Sequence, residues 1–213
     1  MSDFSTRSEG EDSLSFSAPA MYSSTVLFCD IRGFTRLLDH ANPKEAFLFI
    51  EEFLLGLTSA VIEEGGTVNN LTGDGFLAEF GIGFRSDKHA LRAVNSAINM
   101  RSRLKEINQH RHIIKNATFN VGIGIHSGSI AGGSVRLGKN SSFLLIGDTI
   151  NVASRIESLT KDFAVDILIS EATAELVKNQ LQLLQMPQRA VKGKSEKLQT
   201  FWLPPHVKAV RSY

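Results

Sequence analysis

The sequence predicts a mixed α/β (α+β) fold: a ferredoxin-like β-α-β-β-α-β core with a C-terminal extension. Three observations predict it. A β-rich run, Ser24 to Asp30, ends at a turn containing Gly33 and precedes a long helical segment. Two apolar runs then flank Gly73-Asp74-Gly75, which reads as a hairpin with a carboxylate at its tip. A second helical periodicity and a further strand, Thr118 to His126, complete the unit.

Each element has a local cause. Asn42-Pro43 starts the first helix, with Asn as N-cap and Pro at the first helical position. That helix runs to Glu64 and stops at Gly65-Gly66. It is apolar on more than one side, so it is deeply packed or part of an interface. The hairpin strands are Thr67–Leu71 and Phe76–Phe80. Ser86-Asp87 caps the second helix, whose apolar positions Ala90, Ala93, Val94, Ala97, Ile98, Leu104 and Ile107 fall at helical spacing. After Thr118–His126 comes a second hairpin, Ser129–Val135 with Phe143–Ile146. Asp148 or Thr149 caps a short helix to about Leu159. The extension then reads as strand Val165–Ile169, helix Glu171–Asn179, and a strand pair from Gln188 to Leu203 around Lys192-Gly193-Lys194. Residues 1–20, rich in Ser, Asp and Glu, read as a disordered leader to one folded domain over residues 21–213.

Composition narrows the function classes. With 42% hydrophobic and 21% charged residues, 213 residues suffice for one domain with a real core. A net charge of +1, with no Lys/Arg block, advertises no nucleic-acid-binding face. Cys29 is the only cysteine, which excludes an intrachain disulfide and a cysteine metal cluster and fits a reducing, cytoplasmic setting. The N-terminus has no apolar signal core. The longest apolar run, Ala46 to Ile62, is interrupted by Glu51 and Glu52 and is too short to span a membrane.

Topology brings two carboxylates together. In this strand order the first and second strands run parallel and the first and third are neighbours. Asp30, ending strand one, and Asp74, in the hairpin turn, therefore converge at one sheet edge. Paired carboxylates on loops suit hard divalent cations, Mg²⁺ or Mn²⁺. Beside Asp30 runs Ile31-Arg32-Gly33-Phe34-Thr35, a glycine turn whose backbone N–H groups suit phosphate. Metals and phosphate together imply a nucleotide and phosphoryl chemistry. Asn151 and Arg155, at i and i+4, share one face of the short helix and could hold a ribose and a developing phosphoryl charge. Read without context, each Asp is also an ordinary turn residue, and the Asn–Arg pair an ordinary solvated face. Gly122-Ile-Gly124 lies inside a strand, where it permits close packing, and Cys29 alternates with Asp30 to face the core.

Five blocks, in order, carry a family resemblance: CDIRGFTRL (Cys29–Leu37), GDGFLAEFG (Gly73–Gly81), VGIGIHSG (Val121–Gly128), IGDTINVASRIE (Ile146–Glu157) and VKGK (Val191–Lys194). Together they closely resemble the class III nucleotidyl cyclase catalytic domain, over about Ser24 to Leu203. The resemblance implies the class III cyclase fold and a head-to-tail homodimer with active sites at the interface. It implies that Asp30 and Asp74, helped by the Ile31 carbonyl, hold two Mg²⁺ or Mn²⁺ ions per site. Ile31, Gly33, Phe34 and Thr35 then form the triphosphate loop, and Lys192 is the triphosphate lysine. Asn151 orients the ribose and Arg155 stabilises the transition state, both from the second subunit. The implied product is a 3′,5′-cyclic nucleotide with pyrophosphate.

Two positions depart from the adenylyl pattern. Where such cyclases usually carry Lys, four residues before the second metal Asp, this chain has Asn70. Where they carry Asp or Thr, seven residues before the ribose Asn, it has Leu144. Asn70 can donate and accept, matching adenine, uracil or cytosine edges; Leu144 can do neither. With only a short polar leader, the chain is similar to the standalone uridylate and cytidylate cyclases of bacterial antiphage signalling. That likeness implies UTP ahead of CTP, with ATP the alternative. Two further readings are a pseudo-cyclase that binds nucleotide without turnover and an RNA-binding ferredoxin-like domain. The near-zero net charge disfavours the latter.

Overall fold

A computed structural model describes residues 14–34, 42–83, 86–110, 119–137, 139–190 and 197–208. Strand β1 is Leu14–Phe16, β2 Ala20–Ile31, β3 Thr67–Thr72, β4 Gly75–Phe80, β5 Val121–Leu137 and β6 Asn140–Ile146. Strands β7 (Ile167–Ser170), β8 (Leu184–Gln185), β9 (Arg189–Ala190), β10 (Lys197–Leu198) and β11 (Thr200–Trp202) follow. Helices are α1 (Pro43–Glu63), α2 (His89–His110), α3 (Asp148–Asp162) and α4 (Glu171–Val177). The main sheet runs β3-β4-β2-β5-β7-β11-β8, with β1 and β6 pairing the far end of β5. Its first four strands have the expected ferredoxin-like order.

The helix signals act as written. Asn42 Oδ1 accepts from the Lys44 N–H at 3.0 Å, and Pro43 opens α1. Gly65 takes φ +73°, a conformation that favours glycine, where the chain leaves the helix. Phe49, Phe53, Leu57, Ala60 and Val61 of α1 pack with Ala93, Val94 and Ala97 of α2 against the sheet. Strand β4 is buried along its whole length because β2 and β3 flank it and both faces are covered. Cys29 and Ile31 point into that core, so Asp30 between them points to the other face, as the strand alternation requires.

Three expectations change. The strands expected at 118–126 and 129–135 form one 17-residue strand, β5. Its ladder with β2 continues unbroken through Ser24↔Gly128 and Ser23↔Ser129, so Gly128 does not interrupt it. Residues 14–16, expected within the leader, form β1, which pairs with the end of β5, and β2 starts at Ala20. Neither Asp148 nor Thr149 caps α3; the N-cap is Gly147, and the Thr149 hydroxyl donates instead to the Ser129 carbonyl at 2.7 Å. Of the final strand pair, β9 and β10 are present, and the Lys192-Gly193-Lys194 turn between them lies outside the described residues.

Helix α3 lies close on β5 because two positions there carry no side chain. A Cβ on Gly124 would stand 2.1 Å from the Glu157 amide nitrogen and 2.4 Å from the Ala153 carbonyl oxygen. One on Gly122 would stand 2.3 Å from Glu157 Oε1. The close packing expected of Gly122-Ile-Gly124 is therefore what fixes α3 over the sheet.

The interior also holds a polar chain. It runs from His89 Nδ1 through the hydroxyls of Thr25, Ser127, Thr173 and Ser170 to His126 Nδ1, with links of 2.7, 2.8, 3.0, 3.0 and 2.8 Å. Five links take five hydrogens, and the four hydroxyls supply four. At least one imidazole therefore donates from Nδ1. The chain ties β2, β5, β7, α2 and α4 together at their buried faces.

Candidate active site

The hairpin turn is fastened to the end of β2. The Ile31 N–H donates to the Asp74 carbonyl at 2.8 Å, and Asp30 lies directly opposite Gly75. This is the convergence that strand order alone predicts. On the other side Asp30 lies opposite Gly122. Both sheet neighbours of Asp30 are thus glycines, and its carboxylate stands on a floor free of cross-strand side chains. Gly75 also has no alternative, since a Cβ there would meet the Cys29 carbonyl oxygen at 2.1 Å.

Over this floor opens a cleft of about 820 Å³, lined by Asp30, Asp74, Arg32, Gly33, Arg155 and Glu157 among others. That volume is within the range of small-molecule sites. Burial and the neighbouring Asp74 charge push the Asp30 carboxyl up to about 6, against a partly offsetting hydrogen bond from Ile31. Burial, followed by the charge of Asp30, pushes Glu157 up to about 7, with Arg32 opposing. Crowded carboxylates of raised pKa are an anionic arrangement that a cation would relieve. An all-oxygen donor set fits Mg²⁺ or Mn²⁺ rather than a softer metal. Asp30, Asp74 and the Ile31 carbonyl are the groups that could hold it.

The adjoining turn is partly committed to the fold. Ile31 N–H serves Asp74, and Arg32 N–H donates to the Asn120 carbonyl at 2.8 Å. Of the expected phosphate loop, Gly33 and Phe34 are the turn's remaining donors. Gly33 takes φ +75°, and Phe34 packs its ring against the core. Thr35 lies outside the described residues, as does Lys192, although Ala190, two residues before Lys192, lines the cleft.

The other expected residues divide. Arg155 reaches the same cleft as the aspartates of its own chain, whereas the resemblance implies that it serves the second subunit's site, and its Nη1 is buried with no hydrogen-bond partner among the described residues. Asn151, one turn earlier on α3, is exposed and does not line the cleft. Asn70 is exposed on β3, beside an apolar groove of about 600 Å³ between β3 and α1. Leu144 is 46% exposed on β6. Neither base-reading position lies in the cleft with the aspartates of its own chain.

Two cleft residues escape a reading by spacing. Arg32 donates from Nη2 to the Val165 carbonyl and presents its charge to Glu157. Glu157 places its carboxylate over Gly122. The signal that could have found Glu157 is Gly122 itself: a strand glycine opposite Asp30 marks space that something else occupies.

Comparison with known proteins shows the family. The sequence model of the adenylate and guanylate cyclase catalytic domain matches residues 17–205. The chain belongs to this cyclase family. An adenylate cyclase of Anabaena cylindrica is 35% identical over 168 residues, covering 77% of this chain and 32% of that protein. The chain therefore spans about a third of that relative's length. Among solved structures, the adenylyl cyclase CyaB from P. aeruginosa superposes with TM-score 0.80 at 28% identity, covering 92% of this chain and 98% of that one. The guanylyl cyclase Cya2 superposes with TM-score 0.79 at 25% identity, covering 94% of this chain and all of that one. The sheet and helices of this cyclase domain are thus those of class III cyclases. No helix among its described residues is long and apolar enough to cross a membrane.

Proposed function

We propose that this cyclase domain converts a nucleoside triphosphate to a 3′,5′-cyclic nucleotide and pyrophosphate. The observation that carries the proposal is the placement of Asp30, Asp74 and Arg155 around one cleft. In the reaction the ribose 3′-oxygen forms a bond to the α-phosphorus, the bond from that phosphorus to pyrophosphate breaks, and the hydroxyl proton is lost. Asp30 and Asp74, with the Ile31 carbonyl, would hold two Mg²⁺ or Mn²⁺ ions. Bound there, such ions supply a lowered pKa at the ribose hydroxyl and charge neutralisation at the leaving phosphates. Gly33 and Phe34 N–H groups, with Thr35 and Lys192, bind the triphosphate. Arg155 offers a fixed cationic donor to the charge that grows on the α-phosphoryl group, where such a donor counts most. Asn151 orients the ribose.

We also propose a homodimer in which Asn151 serves the cleft of a second copy. Its exposure outside the cleft supports this. So does the apolar surface the chain leaves uncovered: Phe47, Leu55, Ile62 and Leu71 on α1 and β3, and Leu144 and Ile146 on β6, are 46–68% exposed. Mixing Asp74→Ala with Asn151→Ala protein tests the arrangement. Recovery of turnover by the mixture supports sites shared between subunits, and a mixture as inactive as its parts contradicts them.

For the base, we propose a pyrimidine, UTP ahead of CTP, made as an antiphage second messenger in the cytoplasm. The amide of Asn70 can donate and accept, and Leu144 offers an apolar wall in place of a second polar reader. ATP is the competing reading, favoured by the Anabaena adenylate cyclase at 35% identity. Incubation with each of ATP, GTP, CTP and UTP, with Mn²⁺, decides. Dominant cyclic AMP contradicts the pyrimidine reading; dominant cyclic UMP supports it.

A further inference from the structure

Glu157 is a cleft group that the proposed function leaves without a role. It is anchored by geometry. Its Oε1 stands 2.3 Å from where a Cβ on Gly122 would be, so its carboxylate fills the side-chain position that Gly122 vacates. Gly122 is the direct cross-strand partner of Asp30. Opposed residues of an antiparallel pair carry their Cβ atoms on the same face, about 5 Å apart. The Glu157 carboxylate therefore stands beside that of Asp30, on the cleft face of the sheet. Thr160 Oγ1 crowds the same vacated position at 2.5 Å, so helix α3 presses Glu157 down onto the strand. Its hydrogen bond from the Ser158 hydroxyl, at 3.5 Å, is long, which leaves its acceptor capacity largely unspent among the described residues.

We propose that Glu157 is a positioning residue for the cation site: it accepts hydrogen bonds from water on the ion that Asp30 and Asp74 hold. The inference rests on the metal-site reading of those two aspartates. The chemistry is apt for Mg²⁺ and Mn²⁺, which keep several waters and take one or two carboxylates directly. A carboxylate one layer out orients those waters and adds negative charge without displacing them. Glu157 and Arg155 sit two residues apart on α3, so the same helix that brings the guanidinium to the cleft sets this carboxylate against Asp30.

The test is Mn²⁺ binding without nucleotide, followed by electron paramagnetic resonance of free ion and by calorimetry, on wild type, Glu157→Gln, Glu157→Asp and Asp74→Asn. Glu157→Gln is expected to weaken Mn²⁺ binding on the order of tenfold or more with a thermal midpoint no lower than that of wild type. Glu157→Asp, which keeps the charge on a shorter arm, is expected to bind between the two. Wild-type Mn²⁺ affinity in Glu157→Gln overturns the proposal. Should that variant not fold, wild-type affinity in Glu157→Asp overturns it equally. Asp74→Asn separates the two layers of the argument. If it loses Mn²⁺ while Glu157→Gln retains it, the role of Glu157 alone fails. If Asp74→Asn also binds like wild type, the metal-site reading fails with it.

Discussion

The Ile31 N–H donates to the Asp74 carbonyl at 2.8 Å, across the gap between the end of β2 and the β3–β4 turn. This one bond holds together the backbones that carry the two carboxylates on which the proposed chemistry depends. It is made by backbone, so substitution of either Asp side chain leaves it in place. Variants such as Asp74→Ala therefore report on chemistry rather than on the scaffold.

Gly124→Ala is expected to unseat helix α3. Its new Cβ would meet backbone at 2.1 and 2.4 Å, and backbone cannot rotate aside as a side chain can. Overpacking of this kind costs about 3 kcal/mol. Because α3 carries Asn151, Arg155 and Glu157, turnover should fall along with stability. Chemical denaturation and an activity assay on the same preparation check both.

The metal-free protein should lose stability as pH rises from about 4 to about 7. Asp30 goes from an ordinary 3.8 to about 6 and Glu157 from 4.5 to about 7, so the folded state holds protons that the unfolded state has released. Stability falls with pH wherever the folded state binds more protons. The decline from these groups ends once pH passes the folded values. Asp30→Asn should show less of it than wild type, and Mn²⁺ should remove it. Thermal midpoints from pH 4 to 8, with chelator and with Mn²⁺, measure the effect.

Arg101 should matter far from the cleft. It donates to Asp166 at 2.6 and 3.0 Å and to the carbonyls of Leu203 and Pro204, joining α2 to β7 and the C-terminal segment. Burial alone would raise the Asp166 carboxyl, but its hydrogen bond and ion pair with Arg101 outweigh that and hold it below the ordinary range. Arg101→Met should cost about 3 kcal/mol by leaving a partly buried carboxylate unpaired. The Arg101–Asp166 contribution is present above the ordinary Asp pKa and is lost as pH falls through the depressed one. The gap between wild type and Arg101→Met should therefore narrow in acid, which denaturation at pH 7 and pH 3 checks.

Much of this was legible in the sequence for physical reasons. Asn42-Pro43 and Gly65 punctuate α1 because capping and positive φ are local requirements. Asp30 and Asp74 could be paired because strand order alone puts their strands side by side. The length of β5 was not legible, since Gly128 reads as a break until its pairing with Ser24 is known. The α3 cap was missed because Thr149 spends its hydroxyl on Ser129, twenty residues away. Glu157 was missed because its place depends on a glycine in another element. Asn70 and Leu144 were found as residues, but their separation from the cleft is a fact of three dimensions.

The central claim is that Asp30 and Asp74 equip this cyclase domain for turnover. The most direct measurement is cyclic nucleotide and pyrophosphate production from each of the four nucleoside triphosphates with Mn²⁺, on wild type and Asp74→Ala. The expected result is stoichiometric cyclic product and pyrophosphate from at least one triphosphate with wild type, and near-complete loss in Asp74→Ala. Dimeric, folded wild-type protein that turns over none of the four, or an Asp74→Ala variant as active as wild type, would contradict it.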